Sequence, residues 1–442
     1  MEQLVTSPDN PAPAQSRTAH QPLQTELRDS AAPRRTRRTR RVLALTALLA
    51  AGALSLTACG GDAEAGGQGD GKNGQAGADA AAAKDASDAK IKVTSKDGAT
   101  DASINDTGVS VTGGKLTDVK LTAVDTGKDV SGAISSDGSS WKPGAQLDRG
   151  TKYKLVANAK DAKGRPATEN ATFSTVSSAN SFIGSFTPDN GKTVGVGMPV
   201  SFNFDKPIAN QKDVRSHITV TSSSGQQVVG HWFGNQRLDF RPEEYWKAGS
   251  KVTMKIDLDG VKGGPGITGV QSKTVTFTIG RSQVSTVDMN TQTMTVKQDG
   301  KVIKTIPISG GSPDHPTYNG QMVISEKFEQ TRMDGSTVGF GGEYDIKDVP
   351  HAMRLSSSGT FIHGNYWGSS SIFGRTGTSH GCVGLQDNKG GGGDTQAKWF
   401  YNNSLIGDVV VVKNSPDKTV KPDNGLNGWN MSWSEWTAGS SS

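Results

Sequence analysis

The chain has 442 residues, of which 33% are apolar, 21% are charged and 56 are glycines, and its formal net charge is +5. The first 59 residues hold eight arginines and four acidic side chains, so they supply +4 of that charge and leave about +1 for the rest. This excludes a basic surface clustered on the folded part, and with it a nucleic-acid-binding function. The two cysteines, Cys59 and Cys382, lie in unrelated contexts and exclude a disulfide framework.

The N-terminal segment, residues 1–59, has the pattern of a leader followed by an export signal. An apolar run from Val42 to Cys59 follows six arginines and is too short to cross a bilayer as a stable helix. Leu56-Thr57-Ala58-Cys59 resembles a bacterial lipobox, which predicts lipidation of Cys59 and anchoring to the extracytoplasmic face of the cell membrane. The alternative is ordinary cleavage near Ala58 with release, and the paired arginines also fit twin-arginine export.

Residues 60–90 consist almost entirely of Gly, Ala, Asp, Lys, Ser and Gln, which predicts a flexible linker. The remaining chain is rich in Gly, Thr, Ser and Val and shows few helical periodicities, which favours about three small β domains. The first two form a divergent repeat in which a proline and a glycine seven positions apart precede an alternating strand (Pro143 and Gly150; Pro242 and Gly249). This pattern predicts two immunoglobulin-like β-sandwiches acting as spacers, over residues 91–177 and 178–280.

The third domain, residues 281–413, continues the strand-rich pattern with a hairpin signal at Asp299-Gly300. A helix with an Asp or Thr N-cap is predicted over residues 394–403, and a strand over 408–412. The fold class is therefore mainly β, with one or two short helices. The tail, residues 414–442, carries three tryptophans that are costly to expose and is predicted to pack on the third domain; docking of another protein is the alternative.

A thiol motif in the third domain carries the chemistry. Cys382 ends the sequence Ser379-His380-Gly381-Cys382, and His363 lies upstream in Phe361-Ile362-His363-Gly364. A thiolate is the reactive form of cysteine, and a neighbouring imidazole generates it. The pattern predicts that Cys382 is the nucleophile, that His363 is the base, and that backbone N–H groups around Gly381 stabilise an oxyanion.

Four motifs together resemble the YkuD-type catalytic domain of the L,D-transpeptidases: Val349-Pro350-His351-Ala352-Met353, Phe361-Ile362-His363-Gly364, Ser379-His380-Gly381-Cys382, and Ala397-Lys398-Trp399-Phe400-Tyr401 with Gly407-Asp408-Val409-Val410. The lipobox, tandem immunoglobulin-like domains and Trp-rich tail are similar to the mycobacterial and actinobacterial lipoproteins of that family. The resemblance implies an enzyme that cuts a peptidoglycan tetrapeptide stem before its terminal D-alanine, holds it as a thioester, and joins it to a neighbouring stem as a 3→3 cross-link.

The resemblance also implies site residues. It makes Cys382 the nucleophile, His363 the general base, and His380 a histidine that orients the loop. It implies contacts to the donor stem from a lid and from the edges of the cleft, at Met333, Tyr344, Trp367, Ser358 and Gly359. Gly384 departs from the family pattern, because members usually carry Asn or Arg there, so a side chain that binds the stem is missing. His351 is predicted to be structural and His315 to lie on the surface.

Other functions fit the sequence less well or stay open. A zinc site from His363, His380 and Cys382 lacks a convincing fourth ligand, and no cofactor or metal is implied. A sortase needs a Thr-Leu-x-Thr strand and a downstream arginine, and an NlpC-type peptidase places its histidine after the cysteine. Hydrolysis of the thioester, giving an L,D-carboxypeptidase, stays open. So does a non-catalytic, lipid-anchored wall-binding protein, although an intact His363 and Cys382 argue against it. The protein is expected to be a monomer.

Overall fold

The computed structural model describes residues 86–439. The leader, the lipidation site Cys59 and most of the predicted linker lie outside the described residues. Within residues 86–439 the chain is mainly β, which confirms the predicted fold class. No helix in this part of the chain is both long and apolar enough to span a bilayer.

The first domain is a sandwich of two four-stranded sheets, in the orders β1-β2-β6-β5 and β4-β3-β7-β8. Its strands are β1 (Lys90–Val93), β2 (Val109–Thr112), β3 (Gly114–Ala123), β4 (Asp129–Val130), β5 (Gly132–Ile134), β6 (Ser140–Pro143), β7 (Lys152–Asp161) and β8 (Pro166–Ser174). Alternation along β7 buries Tyr153, Leu155 and Ala157 between the sheets. The Tyr153 hydroxyl accepts a hydrogen bond from the Asp148 backbone at 3.1 Å, so this buried phenol keeps a polar partner.

The second domain repeats the sandwich with sheets β10-β12-β15-β14 and β11-β19-β16-β13, plus a small sheet β17-β18-β9. Its elements are β9 (Ser181–Phe182), β10 (Gly184–Thr187), β11 (Thr193–Val194), β12 (Val200–Phe204), α1 (Gln211–Ser216), β13 (Ile218–Ser222), β14 (Val228–Phe233), β15 (Arg237–Pro242), β16 (Lys251–Asp257), β17 (Lys262–Gly264), β18 (Ile267–Gly269) and β19 (Ser272–Ile279). Aromatic residues dominate its core, with Phe202 stacked on Phe204 and crossed by Phe240.

The third domain is one nine-stranded sheet in the order β23-β28-β20-β21-β22-β27-β26-β25-β24. Its elements are β20 (Gln283–Asp288), β21 (Thr293–Gln298), β22 (Lys301–Ser309), β23 (Gly320–Val323), β24 (Glu326–Asp334), β25 (Asp345–Arg354), β26 (Phe361–Asn365), β27 (Val383–Gln386), α2 (Gln396–Asn403) and β28 (Val409–Lys413). Two neighbouring pairs, β20 with β28 and β26 with β27, are parallel. The second of these pairs positions the candidate site.

Helix α2 begins two residues later than the sequence predicts. The Thr395 side chain caps it by accepting from the Lys398 backbone, which leaves Asp394 outside the helix. Ala397 and Phe400 are fully buried and belong to the core of the third domain with Ile362, Val383 and Leu385. The helix therefore covers the sheet beneath β26, which carries His363, and β27, which follows Cys382.

The second sandwich is joined to the third domain by close backbone contact. The Gly195 amide donates to the Ile406 carbonyl at 2.8 Å, and the Gly197 amide donates to Gly407 at 2.9 Å. A Cβ at Gly195 would lie 2.2 Å from the Asp408 amide nitrogen, so only glycine permits this approach. Val409 of β28 packs into the hydrophobic core of the second sandwich.

The C-terminal tail packs differently from the sequence expectation. Its helix α3 (Trp433–Ala438) and its tryptophans lie on the second sandwich, where the indole N–H of Trp436 donates to the Val229 carbonyl at 2.9 Å. The indole N–H of Trp429 donates to Gly197 at 2.7 Å. The buried Arg241 guanidinium explains this placement, because it faces all three tryptophan rings at 4.3–5.5 Å and needs such partners.

Contact between the tail and the third domain is made by polar side chains instead. Asn427 is fully buried, donates to the Leu355 carbonyl at 2.9 Å and accepts from the Val323 amide at 3.0 Å. Asn430 accepts from the Gln321 amide at 2.8 Å and donates to the Gln321 carbonyl at 2.7 Å. The tail therefore bridges the two domains.

Candidate active site

Strand register brings His363 and Cys382 to one face of the sheet. His363 pairs with Gly384 across the parallel strands β26 and β27, and Cys382 immediately precedes β27. Side chains alternate along a strand and residues two apart share a face, so positions 382 and 384 project on the same side as position 363. The sheet therefore places the thiol next to the imidazole although 18 residues separate them along the chain.

The His363 imidazole is held in one orientation. Its Nδ1 lies 3.0 Å from the Gly364 carbonyl oxygen, to which it donates, so Nε2 is the nitrogen with a free lone pair. The side chain is 4% exposed and stacks on Trp367, with ring centroids 5.5 Å apart and planes 13° from parallel. Burial lowers the pKa of His363, which keeps the ring neutral and able to accept a proton.

The Cys382 thiol is also buried and neutral. It is 9% exposed, and its Sγ donates a long hydrogen bond of 3.6 Å to the Gly359 carbonyl. Burial raises the pKa of Cys382 to about 11, and a hydrogen bond with the Phe361 backbone opposes that rise. A neutral thiol that shares a cavity with a neutral imidazole can pass its proton to that imidazole as the sulfur attacks.

Backbone N–H groups next to the sulfur are available for an oxyanion. Gly381 has φ +98°, a conformation that favours glycine. Within residues 86–439 the amides of Gly381 and Cys382 donate to no protein acceptor. The Ser379 hydroxyl fixes the turn by donating to the Cys382 carbonyl at 2.6 Å. Two unpaired amides beside a nucleophile form the arrangement that stabilises a tetrahedral intermediate.

His363 and Cys382 line one cavity of about 160 Å³. Three residues predicted to contact the donor stem, Met333, Tyr344 and Trp367, line it too. Burial raises the pKa of Tyr344 to about 12, so its hydroxyl stays protonated and can donate. Further lining residues, which the sequence interpretation missed, are Ile346, Asn365, Thr378 and Ser379.

A second cavity, of about 250 Å³, adjoins the first. It is lined by the predicted residues Ser358, Gly359 and Gly381, and His380 lines both cavities. The loop between β24 and β25, residues 335–344, lies over this region and is called the lid below; its Phe340 lines the second cavity. A larger cavity of about 550 Å³ lies between Arg241, Tyr245 and Trp429, far from the thiol, and belongs to the tail interface.

Comparisons with known proteins match the chain to two families and to several relatives. Residues 282–412 match the YkuD family, the L,D-transpeptidase catalytic domain, and residues 86–262 match a bacterial Ig domain family. L,D-transpeptidase 2 of Mycobacterium tuberculosis is 34% identical over 354 residues, which cover 79% of this chain and 84% of that protein. The chain belongs to the L,D-transpeptidase family.

Two further relatives are similar over smaller parts. L,D-transpeptidase 5 of Mycobacterium tuberculosis is 28% identical over 71% of this chain and 68% of that protein. A solved structure of L,D-transpeptidase 3 from Mycobacterium tuberculosis, in complex with a faropenem-derived adduct, is 26% identical. It aligns with a TM-score of 0.42 over 52% of this chain and 97% of that one.

In this L,D-transpeptidase the structure shows what occupies the space beside Gly384, where the family pattern has a larger side chain. Gly384 is buried within β27 and lines neither cavity. A Cβ built there would lie 3.3 Å from the Ser309 carbonyl oxygen and 3.4 Å from the Asn365 side chain. Asn365, on the neighbouring strand, therefore fills the space into which a side chain at 384 would project, and Asn365 itself lines the cavity.

The lid is attached to the loop before Cys382 by side chains that the sequence interpretation did not connect. The His380 Nε2 lies 2.8 Å from a Glu343 carboxylate oxygen, and the His380 ring stacks on His315 at 4.7 Å. Phe340 packs edge-on against both imidazoles at 5.2–5.3 Å. His315 was expected at the surface, and its side chain is 33% exposed; no local pattern near it in the sequence signals these partners.

His351 is a buried structural residue, as the sequence suggested. Its Nδ1 lies 2.7 Å from Asp387, whose carboxylate also accepts from the Thr395 hydroxyl at 2.8 Å. A Cβ at Gly364 would lie 2.0 Å from the same carboxylate, so Asp387 packs directly against the residue that anchors His363. The carboxylate also acts to raise the pKa of His363, against the larger effect of burial.

Proposed function

We propose that this enzyme forms 3→3 cross-links in peptidoglycan through a Cys382 thioester made from a tetrapeptide donor stem. The observation that carries the proposal is the shared cavity of Cys382 and His363, in which the thiol, a correctly oriented imidazole and two unpaired amides meet. The size of that cavity, about 160 Å³, suits an extended peptide end rather than a folded substrate.

In the first half-reaction the thiol of Cys382 attacks the carbonyl carbon of the peptide bond that precedes the terminal D-alanine. His363 Nε2 takes the thiol proton, and the developing oxyanion accepts hydrogen bonds from the amides of Gly381 and Cys382. The C–N bond then breaks, and the leaving D-alanine amine takes the proton back from His363. The products are free D-alanine and a thioester on Cys382.

In the second half-reaction an amine of a neighbouring stem attacks the thioester. His363 removes a proton from that amine, the C–S bond breaks, and Cys382 recovers its proton. The second cavity favours transpeptidation, because Gly359 and Gly381 on its wall lie beside the sulfur and offer an acceptor strand its own approach. Water resolving the same thioester would give the L,D-carboxypeptidase reaction instead.

We further infer that the enzyme works at the extracytoplasmic face of the cell membrane, as a monomer anchored by a lipid on Cys59. Lipobox-like Leu56-Thr57-Ala58-Cys59 and the small polar residues of the linker support this inference. The two sandwiches would then act as spacers that hold the catalytic domain within reach of peptidoglycan stem peptides.

Intact-mass spectrometry of the full chain, purified in detergent, tests the chemistry. The chain is incubated with a carbapenem and, separately, with a disaccharide-tetrapeptide donor plus acceptor, and Cys382→Ala is the matched control. A drug adduct on Cys382 and a dimeric 3→3 product are expected, and both should be missing in the variant. Tripeptide without dimer would establish the carboxypeptidase reaction. An adduct that persists in Cys382→Ala would refute the thioester mechanism.

A further inference from the structure

Three ligand-type side chains meet at the mouth of the site. Glu343 of the lid places one carboxylate oxygen 2.8 Å from His380 Nε2 and 3.5 Å from His315 Nε2. One ligand atom from each of the three residues lies within 4.8 Å of the others. All three side chains are partly exposed, by 33% for His315, 51% for Glu343 and 28% for His380, so an ion in solution can reach them.

The donor set has a defined preference. Two imidazole nitrogens and one carboxylate oxygen suit Zn²⁺, which binds nitrogen at about 2.0–2.1 Å and oxygen at about 2.0–2.2 Å in a tetrahedron. Such bonds hold the donor atoms roughly 3.3 Å apart, so Glu343 and His380 would separate by only about half an ångström. Hard cations such as Mg²⁺ prefer all-oxygen ligands and would bind poorly here.

The three residues come from separate loops. His315 lies between β22 and β23, Glu343 is the next-to-last residue of the lid, and His380 is two residues from Cys382. In the structure described here only one carboxylate and ring contacts link them. A metal ion bonded to all three would replace these weak contacts by coordinate bonds and would fix the lid against the loop that carries the nucleophile.

We propose that His315, Glu343 and His380 form a binding site for Zn²⁺, and that the bound ion holds the lid closed over Cys382. The ion has no part in the chemical step, since the thiol and His363 line the cavity on the other side of His380. Metal binding is independent of the function proposed above. Only the further statement, that the closed lid covers a reactive thiol, rests on the proposed function.

Binding is measured by isothermal titration calorimetry, in which ZnCl₂ is titrated into the full chain carrying Cys382→Ala. Removing the thiol excludes direct coordination by Cys382 and separates this test from that of the catalytic mechanism. His315→Ala and Glu343→Gln, each added to Cys382→Ala, should weaken binding at least about tenfold, the lower limit for losing even an outer-shell partner. His217→Ala is the matched control, because His217 is an exposed histidine beside a carboxylate, Asp213, in the second sandwich.

Closure is measured by the rate at which iodoacetamide alkylates Cys382 in the chain with its native thiol. Zn²⁺ should slow this alkylation in the native chain and in His217→Ala, and should have no effect in His315→Ala. Binding that His315→Ala leaves unchanged, or equal binding of Mg²⁺, would overturn the site. Equal slowing in the native chain and in His315→Ala would show that zinc acts on the thiol directly, and would overturn the lid closure.

Discussion

The floor and the lid of the candidate active site are held in place by different forces. The floor, formed by β26, β27 and the turn at Gly381, is fixed by strand register and buried side chains, including His363 at 4% exposure. The lid is attached by Glu343, which is 51% exposed, and by the packing of Phe340. Chemistry needs fixed geometry and access needs movement, so we expect the reaction to take place at the floor and the lid to act as a gate.

The largest effect is expected from His363→Ala on the floor. Removing the proposed general base should lower kcat/KM for the tetrapeptide donor by about 10²–10⁴-fold, because the buried His363 ring, with its free Nε2, lines the same cavity as the thiol. Steady-state assays of D-alanine release measure this. His217→Ala serves as the surface-histidine control. An unchanged rate in His363→Ala would assign the base to another residue and would contradict the view that the reaction takes place at the floor.

Burial of the thiol predicts a pH dependence. Because the pKa of Cys382 is raised to about 11, the reactive thiolate is a minor species at neutral pH, and its fraction grows as pH increases. Alkylation of Cys382 by iodoacetamide should therefore rise about tenfold per pH unit between about pH 7 and pH 10. Peptide mass analysis separates Cys382 from Cys59. A plateau already near pH 8 would mean that the floor is more solvated than the structure indicates.

Substitution of Asn365 tests whether its side chain fills the space on the floor that Gly384 leaves open. Asn365→Ala removes the hydrogen bond from the Gly368 amide, 2.8 Å long, which fixes the turn after Trp367. We expect the variant to lose about 1 kcal/mol of transition-state stabilisation, which lowers kcat/KM roughly fivefold.

The double variant sharpens that test. Gly384→Asn alone should lower the melting temperature, because its side chain meets Asn365 and Ser309. Adding Asn365→Ala to Gly384→Asn should restore part of the lost melting temperature. Two independent, additive effects would show that the two positions do not share one space.

The smallest effect is expected in the lid. Phe340→Ala removes the edge-on contacts with His315 and His380, so the lid should open more often and alkylation of Cys382 at neutral pH should rise about threefold. The melting temperature should not change, because Phe340 is only partly buried. Slower alkylation, or clear thermal destabilisation, would mean that the lid is part of the rigid floor.

Much of the fold followed from local patterns. Alternating apolar residues and turn signals predicted a mainly β chain with tandem sandwiches, and the fold confirms this class. Helix α2 was predicted within two residues of its start, because its cap and its apolar spacing are local features. The placement of the tail was not predictable in the same way. Three tryptophans signal burial, but only the tertiary structure supplies Arg241 and the carbonyls of Gly197 and Val229 as partners.

The sequence by itself determined the family, the mainly β architecture and the candidate pair Cys382 and His363, because a lone thiol after Ser-His-Gly is a local and specific pattern. The tertiary structure alone decided which residues meet around that pair. It placed Asn365 in the cavity beside the buried Gly384, and it brought His315, Glu343 and His380 together from three loops. These contacts depend on strand register and loop packing between residues far apart in the chain, which no local periodicity encodes.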